Sequence, residues 1–314
     1  MSEVITTEVI MIGAGPSALA AAVYTTREDI KTILLEKGVV GGLAAITDQV
    51  DNYPGFPEGV TGLDLADKLE KQAERFGADI RYGEVESITS SDGHIIVKTV
   101  DDNTYKADAA LIATGSDYKK IGVPGEEEFY GRGVHYCATC DGAFYRDKKL
   151  VVVGGGNSAV QEALFLTRFT THIDLLVRSK IRASDVLQKE LEKAVNEGKI
   201  TVHLATTTDE IIGKEGNVVK VIGTRDAKKI EFLTDGVFIF VGLLPNTKFI
   251  ENSKIKLDDT GFIVTDNNLM TSMPGVFASG DVRSGATMQI ASAVGEGATA
   301  ALKIREYLEE LARK

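Results

Sequence analysis

Two short apolar runs, each breaking at a glycine-rich turn and opening into a helical pattern, predict an α/β protein. It comprises two Rossmann-like, three-layer ββα nucleotide-binding domains, the second inserted into the first. The first run, residues 8–12, leads into Gly13-Ala14-Gly15-Pro16-Ser17-Ala18; the second, residues 149–153, leads into Gly154-Gly155-Gly156-Asn157-Ser158-Ala159. A length of 314 residues suits two cores of roughly 100 to 200 residues each. The insertion follows from the C-terminus, where a strand, a Gly-Asp turn and a long helical pattern from Met288 onward belong with the first unit. The expected boundaries are 1–117 with 246–314 for the first domain and 118–245 for the second.

In the first unit Gly13 permits the tight turn, Gly15 lets a pyrophosphate approach the backbone, and small Ala18 lets the helix pack closely on its strand. The helix N-terminus then faces the phosphates. A second strand, 31–35, ends at Glu36, 23 residues after Gly13. A carboxylate there can accept hydrogen bonds from ribose hydroxyls and repel a 2'-phosphate, the alternative being a solvated strand end. After Gly41-Gly42-Leu43, the Pro- and Gly-containing segment 51–57 is a loop able to lie against a flat ligand. Residues 62–76 carry the spacing of an amphipathic helix closed by Gly77. Alternating strands at 84–88, 94–99 and 103–106 lead to the apolar run 109–113, whose Thr114-Gly115 turn allows close approach of the backbone to the first dinucleotide.

The polar stretch 119–133 reads as a connector, with the acidic triplet 126–128 as a solvated face. In the second unit the matching strand, 173–177, ends at Val177 where the first has Glu36, and Arg178, Lys180 and Arg182 follow. A basic cluster in place of the acid suits a 2'-phosphate; the alternative is a set of surface arginines on an acidic protein. Further on, 185–197 is helical, and 200–205, 218–223, 235–241, 261–264 and 276–278 are strand-like, the last running into Ser279-Gly280-Asp281.

The net charge of −11 opposes nucleic-acid and anionic-membrane partners, which need basic surfaces. Neither a basic leader with an apolar core nor a membrane-length apolar run is present, so a cytosolic location is expected. Two cysteines are too few for a disulfide framework, and in a cytosolic chain such a pair is usually catalytic. They stand together as Cys137-Ala138-Thr139-Cys140-Asp141. Two thiols at this spacing can close a disulfide within one turn, with a thiolate pKa drawn toward neutrality. Zinc is the rival, but one C-x-x-C supplies half a tetrahedral set and His135 is the sole histidine nearby.

The order of GAGPSA, Glu36, ATG, CATCD, GGGNSA, VRSKIRAS and ASGD resembles the low-molecular-weight thioredoxin reductases over nearly the whole chain. That resemblance implies FAD on the first domain, NADPH on the inserted domain beside a redox disulfide, a homodimer, and thioredoxin or a thioredoxin-like protein as partner. By motif position it assigns Gly13, Gly15, Pro16, Ser17, Ala18, Glu36, Gly42, Leu43, Asn52, Val85, Thr114, Gly115, Gly280, Asp281, Gln289 and Ile290 to FAD. It assigns Gly154, Gly156, Asn157, Ser158, Ala159, Arg178, Ser179 and Arg182 to NADPH. Cys140 is implied to face the flavin and Cys137 to attack the partner's disulfide; Asp141 is then an acid or base for the departing thiolate, or a turn residue before Gly142. A final helix aimed at the flavin would stabilise charge on the reduced ring. Since dithiol and nicotinamide site share one domain, a rotation is expected, with hinges near 117–119 and 244–246.

Three positions depart from the family pattern: Leu43 for a common Gln, Val177-Arg178-Ser179 for His-Arg-Arg, and Met288 for an Arg before Gln289. They leave NADH or ferredoxin open as alternative electron donors. A reversed flow, a dithiol oxidase using oxygen, is a further alternative.

Overall fold

The computed structural model describes residues 4–47 and 49–313. The chain divides into two compact units, Met1–Asp117 with Leu244–Lys314, and Tyr118–Leu243. The second crossing thus falls two residues earlier than expected, within the strand Leu243–Pro245, which pairs with Ser116–Tyr118 as a two-stranded ribbon.

Each unit is built on a five-stranded parallel sheet. In the first the order is Val276–Ala278, Ala109–Ile112, Val9–Ile12, Thr32–Glu36, Asp79–Tyr82. In the second it is Val134–His135, Gly236–Ile239, Lys149–Val153, His172–Leu176, Ile200–His203. The central strands read as unbroken apolar runs because both of their faces are covered.

Alternation along each strand decides which layer a side chain joins. Val9, Met11, Leu34 and Leu111 pack with the helices, among them Leu19, Ala22, Ala300 and Ile304. Their neighbours Ile10, Ile12, Ile33 and Leu35 pack with Ile88, Ile95, Val97 and Tyr105 of a second sheet, antiparallel except at its edge strand Val4–Thr6, which runs parallel to Thr104–Ala107. The second unit repeats the scheme: Leu150, Val152, Ile173 and Leu175 face the helix layer, and Val151, Val153, Val237 and Ile239 face Ile211, Val221 and Phe232. Each unit is therefore helix, parallel sheet, antiparallel sheet, the predicted three-layer architecture.

The helices of the first unit are Pro16–Thr26, the short Gly42–Ala45, Gly62–Arg75 and Ile290–Ala312. Thr61 caps the third of these, its hydroxyl accepting from Asp64 N–H at 3.1 Å. The last packs on the first, so closely that a Cβ at Gly297 would collide with the Ser17 carbonyl. This helix starts at Ile290 rather than Met288, because Met288 sits at φ +57°, outside the helical region, and Gln289 is the extended N-cap.

Three expectations are corrected. Residues 261–264 form no strand: Gly261 turns at φ +91° and Ile263 makes only isolated bridges to Leu257 and Arg283. The second unit's antiparallel sheet has three strands, Thr207–Lys214, Asn217–Arg225 and Lys228–Leu233, of which only the middle one was expected. The triplet 126–128 is not wholly solvated: Glu126 is 1% exposed. Its carboxylate accepts from Ile121 N–H, Gly122 N–H and the Tyr136 hydroxyl at 2.9, 2.6 and 2.8 Å, and these bonds offset the cost of burial.

Candidate active site

In the first unit the glycine turn is pressed against the next strand. A Cβ at Gly13 would lie 2.6 Å from the Ala113 carbonyl oxygen, and φ is +95°. At Gly15, the N-cap of helix Pro16–Thr26, a Cβ would meet nothing within 4 Å. Its turn is thus tight toward the protein and open on the side where a phosphate would lie. No side chain caps the helix, Pro16 stands in its first turn, and Ala18 is fully buried against the sheet. Gly42 lies alongside, a Cβ there being 3.8 Å from Gly15 Cα, while Leu43 is partly exposed on the short helix.

The Glu36 carboxylate is held at both oxygens. Ala14 N–H donates to Oε2 and Gly38 N–H to Oε1, each at 2.7 Å. Carboxylate oxygens carry further lone pairs, so capacity remains for a ligand hydroxyl. Val85 follows shortly after Gly83, whose N–H donates to the Glu36 carbonyl at 2.9 Å; its side chain packs on the core of the antiparallel layer. The Thr114 hydroxyl donates to the Asn246 carbonyl at 2.8 Å, and Gly115 turns at φ +66° with nothing near a Cβ.

On the other side Ser17 and Ser279 hydroxyls meet at 2.7 Å, and a Cβ at Gly280 would stand 3.2 Å from Ser17 Cβ. Gly280 N–H donates to Glu296 Oε2 at 2.8 Å, and Arg283 closes the group on Glu296 at 2.5 Å. Asp281 beside them is pushed up to about 6, first by burial and then by the charge of Glu296. Arg283 pairs with Glu296, and among the described residues no cation pairs with Asp281. Asn52, distant in sequence, donates from its amide to Gln289 Oε1 at 3.0 Å, where Ile290 begins the last helix. An open turn, an oriented carboxylate and a mostly buried acid fit a dinucleotide bearing several hydroxyls.

In the second unit a Cβ at Gly154 would collide with the Phe240 carbonyl, at φ +144°, whereas one at Gly156 would meet nothing within 4 Å. Gly156 is the uncapped N-cap of helix Asn157–Leu166, with Asn157 and Ser158 exposed and Ala159 buried. Asn157 Oδ1 accepts from Ser184 N–H at 2.8 Å. Val177 is buried, 2% exposed, beneath Gly155, whose carbonyl accepts from Arg182 N–H at 2.6 Å. Arg178, Ser179, Lys180 and Arg182 are exposed, and among the described residues none of the three cations forms an ion pair.

Cys137 and Cys140 are joined as a disulfide with Cα atoms 5.3 Å apart. Cys137 caps the single-turn helix Ala138–Asp141, its sulfur accepting from Cys140 N–H at 3.2 Å. Cys140 is exposed and Cys137 half-buried. The Asp141 Oδ2 lies 3.2 Å from His135 Nδ1, and His135 Nε2 lies 2.7 Å from the Tyr145 hydroxyl. Tyr145 is raised well above the usual phenol range by burial, then by the negative charges of Asp141 and Asp235. His135 thus faces Asp141 through one ring nitrogen and Tyr145 through the other. Sequence reasoning missed this cluster, weighing His135 only as a ligand. Its presence two residues before Cys137, in the strand paired with Phe238, was the available signal.

Fold and site together define a two-domain, dinucleotide-using disulfide oxidoreductase. The chain belongs to the pyridine nucleotide-disulphide oxidoreductase family, whose sequence signature it matches over residues 7–297. It is similar to the thioredoxin reductase of Bacillus subtilis (strain 168), with 44% identity over 315 residues, covering 99% of this chain and 98% of that protein. The thioredoxin reductase of Listeria monocytogenes is also 44% identical, over 97% of this chain and 94% of its own length. Among solved structures, thioredoxin reductase from Streptococcus pyogenes superposes with a TM-score of 0.91 at 38% identity, covering 97% of this chain and 99% of that one. Among the described residues no helix is long and apolar enough to cross a membrane.

Proposed function

We propose that this chain is a thioredoxin-disulfide reductase, carrying two electrons from NADPH to the Cys137–Cys140 disulfide and on to oxidised thioredoxin or a similar protein disulfide. The observation that carries the proposal is a disulfide at Cys137 and Cys140 with Asp141 beside it, on a unit that also holds an open glycine turn and unpaired arginines. FAD, when bound, supplies the chemistry that converts hydride transfer into reduction of a disulfide.

Gly13, Gly15 and the uncapped helix Pro16–Thr26 would receive its pyrophosphate, and Glu36 and Asp281 would accept from its hydroxyls. Gly154, Gly156 and Ser158 would receive the nicotinamide nucleotide, and Arg178 with Arg182 its 2'-phosphate. In the exchange step the Cys137 thiolate attacks the partner's disulfide, one partner sulfur leaves, and Asp141 gives it a proton. The Cys140 thiol then displaces the second partner sulfur, and its proton passes through Asp141 to that sulfur. Two thiol protons of the enzyme end on the two partner thiols as Cys137–Cys140 re-forms.

The enzyme is cytoplasmic and homodimeric in this scheme, and the unit bearing the dithiol rotates during turnover. An engineered crosslink between the units should stop turnover; undiminished activity would sink the rotation. Val177 at the position matching Glu36, with Ser179 beyond it, favours one second reading: a donor other than NADPH.

Anaerobic mixing separates the readings. NADPH should bleach the flavin absorbance faster than NADH, and oxidised thioredoxin should then restore it. No bleaching by either nucleotide would remove the donor assignment, and no restoration by thioredoxin would remove the partner.

A further inference from the structure

We infer that His135 is a positioning residue that stores the proton Asp141 delivers, so that the acid of the thiol exchange is the Asp141–His135 pair rather than Asp141 alone. The inference rests on the assignment above of Asp141 as proton donor. Its basis is geometric. The His135 ring is 7% exposed, stacked on Phe238 with centroids 5.1 Å apart, and held in a strand that pairs His135 with Phe238. Each ring nitrogen faces a different group: Nδ1 meets Asp141 Oδ2 at 3.2 Å and Nε2 meets the Tyr145 hydroxyl at 2.7 Å. Among the described residues those two are the titratable groups facing the ring; Asp235 acts on Tyr145, and Lys148 Nζ lies 5.6 Å over the Tyr145 ring.

Tyr145 is what lets the pair hold one extra proton or none. A hydroxyl both donates and accepts. With the pair unprotonated, the phenol donates to Nε2, which fixes the neutral imidazole as its Nδ1–H tautomer, donating to the Asp141 carboxylate. With the pair protonated, Nε2–H donates to the phenol oxygen and the extra proton lies between Nδ1 and Oδ2. When the partner's sulfur leaves, its S–S bond breaks heterolytically and Oδ2 gives up that proton to the thiolate. The imidazole is left neutral with its proton on Nε2, from which it relaxes to the Nδ1–H tautomer unless deprotonation of the Cys140 thiol first returns a proton between Nδ1 and Oδ2 and reloads the pair. No oxidant or further reductant is needed, because the electron pairs stay within the exchanging sulfurs.

A leaving thiol of low pKa departs without protonation, whereas an aliphatic one is helped by it. The test is therefore single-turnover reoxidation of reduced holoenzyme by two disulfides, oxidised thioredoxin and 5,5'-dithiobis(2-nitrobenzoate). His135→Asn keeps a donor toward Asp141 but cannot store the proton. The expected result is about a tenfold or greater loss with thioredoxin, within twofold of the parent with the aromatic disulfide, and loss of one ionisation from the thioredoxin pH profile. A general structural defect would slow both substrates, and a parent-like pH profile in His135→Asn would overturn the inference. Asp141→Asn separates the two levels: if it too leaves thioredoxin exchange unchanged, the acid assignment itself fails. Should His135→Asn not fold, nitrogen-15 NMR of the parent's imidazoles decides. The Nδ1–H tautomer with a titration altered in Asp141→Asn supports the pair, and an Nε2–H tautomer indifferent to Asp141→Asn overturns it.

Discussion

The two glycine turns of this chain share a frame and differ at its far end. Both follow the middle strand of a five-stranded parallel sheet whose next two strands succeed it in chain order, and both place one glycine where a Cβ would strike a neighbouring carbonyl and another where it would strike nothing. At the end of the next strand the first has Glu36, anchored by Ala14 and Gly38 N–H groups. The second has Val177, buried under Gly155, and it presents Arg178 and Arg182 outward instead. Backbone geometry sets a turn that is open to a phosphate in both units, and under the proposed function the side chains at the end of the next strand select the charge of the dinucleotide.

The largest expected effect breaks the turn itself. Gly13→Ala puts a Cβ 2.6 Å from Ala113 O at φ +95°, and should destabilise the fold by about 3 kcal/mol. Gly15→Ala meets no atom within 4 Å at φ −74°, so it should leave denaturant unfolding of the flavin-free protein nearly unchanged while weakening flavin retention. Equal loss of stability in the two variants would mean that the outer glycine is structural and not kept for a ligand.

A smaller effect concerns the acid at the other side of the first site. Asp281 has a native pKa of about 6 against 3.8 for the free side chain. The native state therefore holds its proton across about pH 4 to 6 while the unfolded state has lost it, and stability falls as pH rises through that window. Asp281→Asn should raise the stability of the flavin-free protein by about 2 kcal/mol at pH 7 and by little at pH 4. Urea unfolding at the two pH values checks this, and an equal gain at both would show that charge burial is not the cause. The same variant should retain flavin less well.

The smallest effect sharpens the contrast in charge. Arg178→Gln and Arg182→Gln should each raise KM for NADPH about tenfold, a loss of about 1.4 kcal/mol, with KM for NADH within twofold. Steady-state kinetics with both nucleotides measures it. If both KM values are unmoved, these are surface arginines and the donor is selected elsewhere.

Much of the frame was legible because it is local. Runs such as 9–12 and 150–153 are apolar on both faces, and the turn glycines follow them directly. The outer strands were less legible: in Thr207–Lys214 only Ile211 is buried, and in Lys228–Leu233 only Phe232, so charges dominate the pattern. The expectation at 261–264 failed because an apolar pattern does not reveal whether a neighbouring strand is there to pair with. Glu126 was misread for a related reason. A carboxylate in an acidic run looks solvated until Tyr136 and two backbone N–H groups are brought to it.

By itself the sequence determined the two dinucleotide units, their glycine turns, the carboxylate of Glu36 and the spacing of Cys137 and Cys140. Each is a matter of neighbouring residues and of periods that the backbone imposes. Only the tertiary structure joined Asn52 to Gln289, Ser17 to Ser279, and Asp141 through His135 to Tyr145. Those contacts require sheets and helices to bring distant or differently oriented segments within hydrogen-bonding distance. No residue type or spacing encodes that closure, because it depends on where every intervening strand packs.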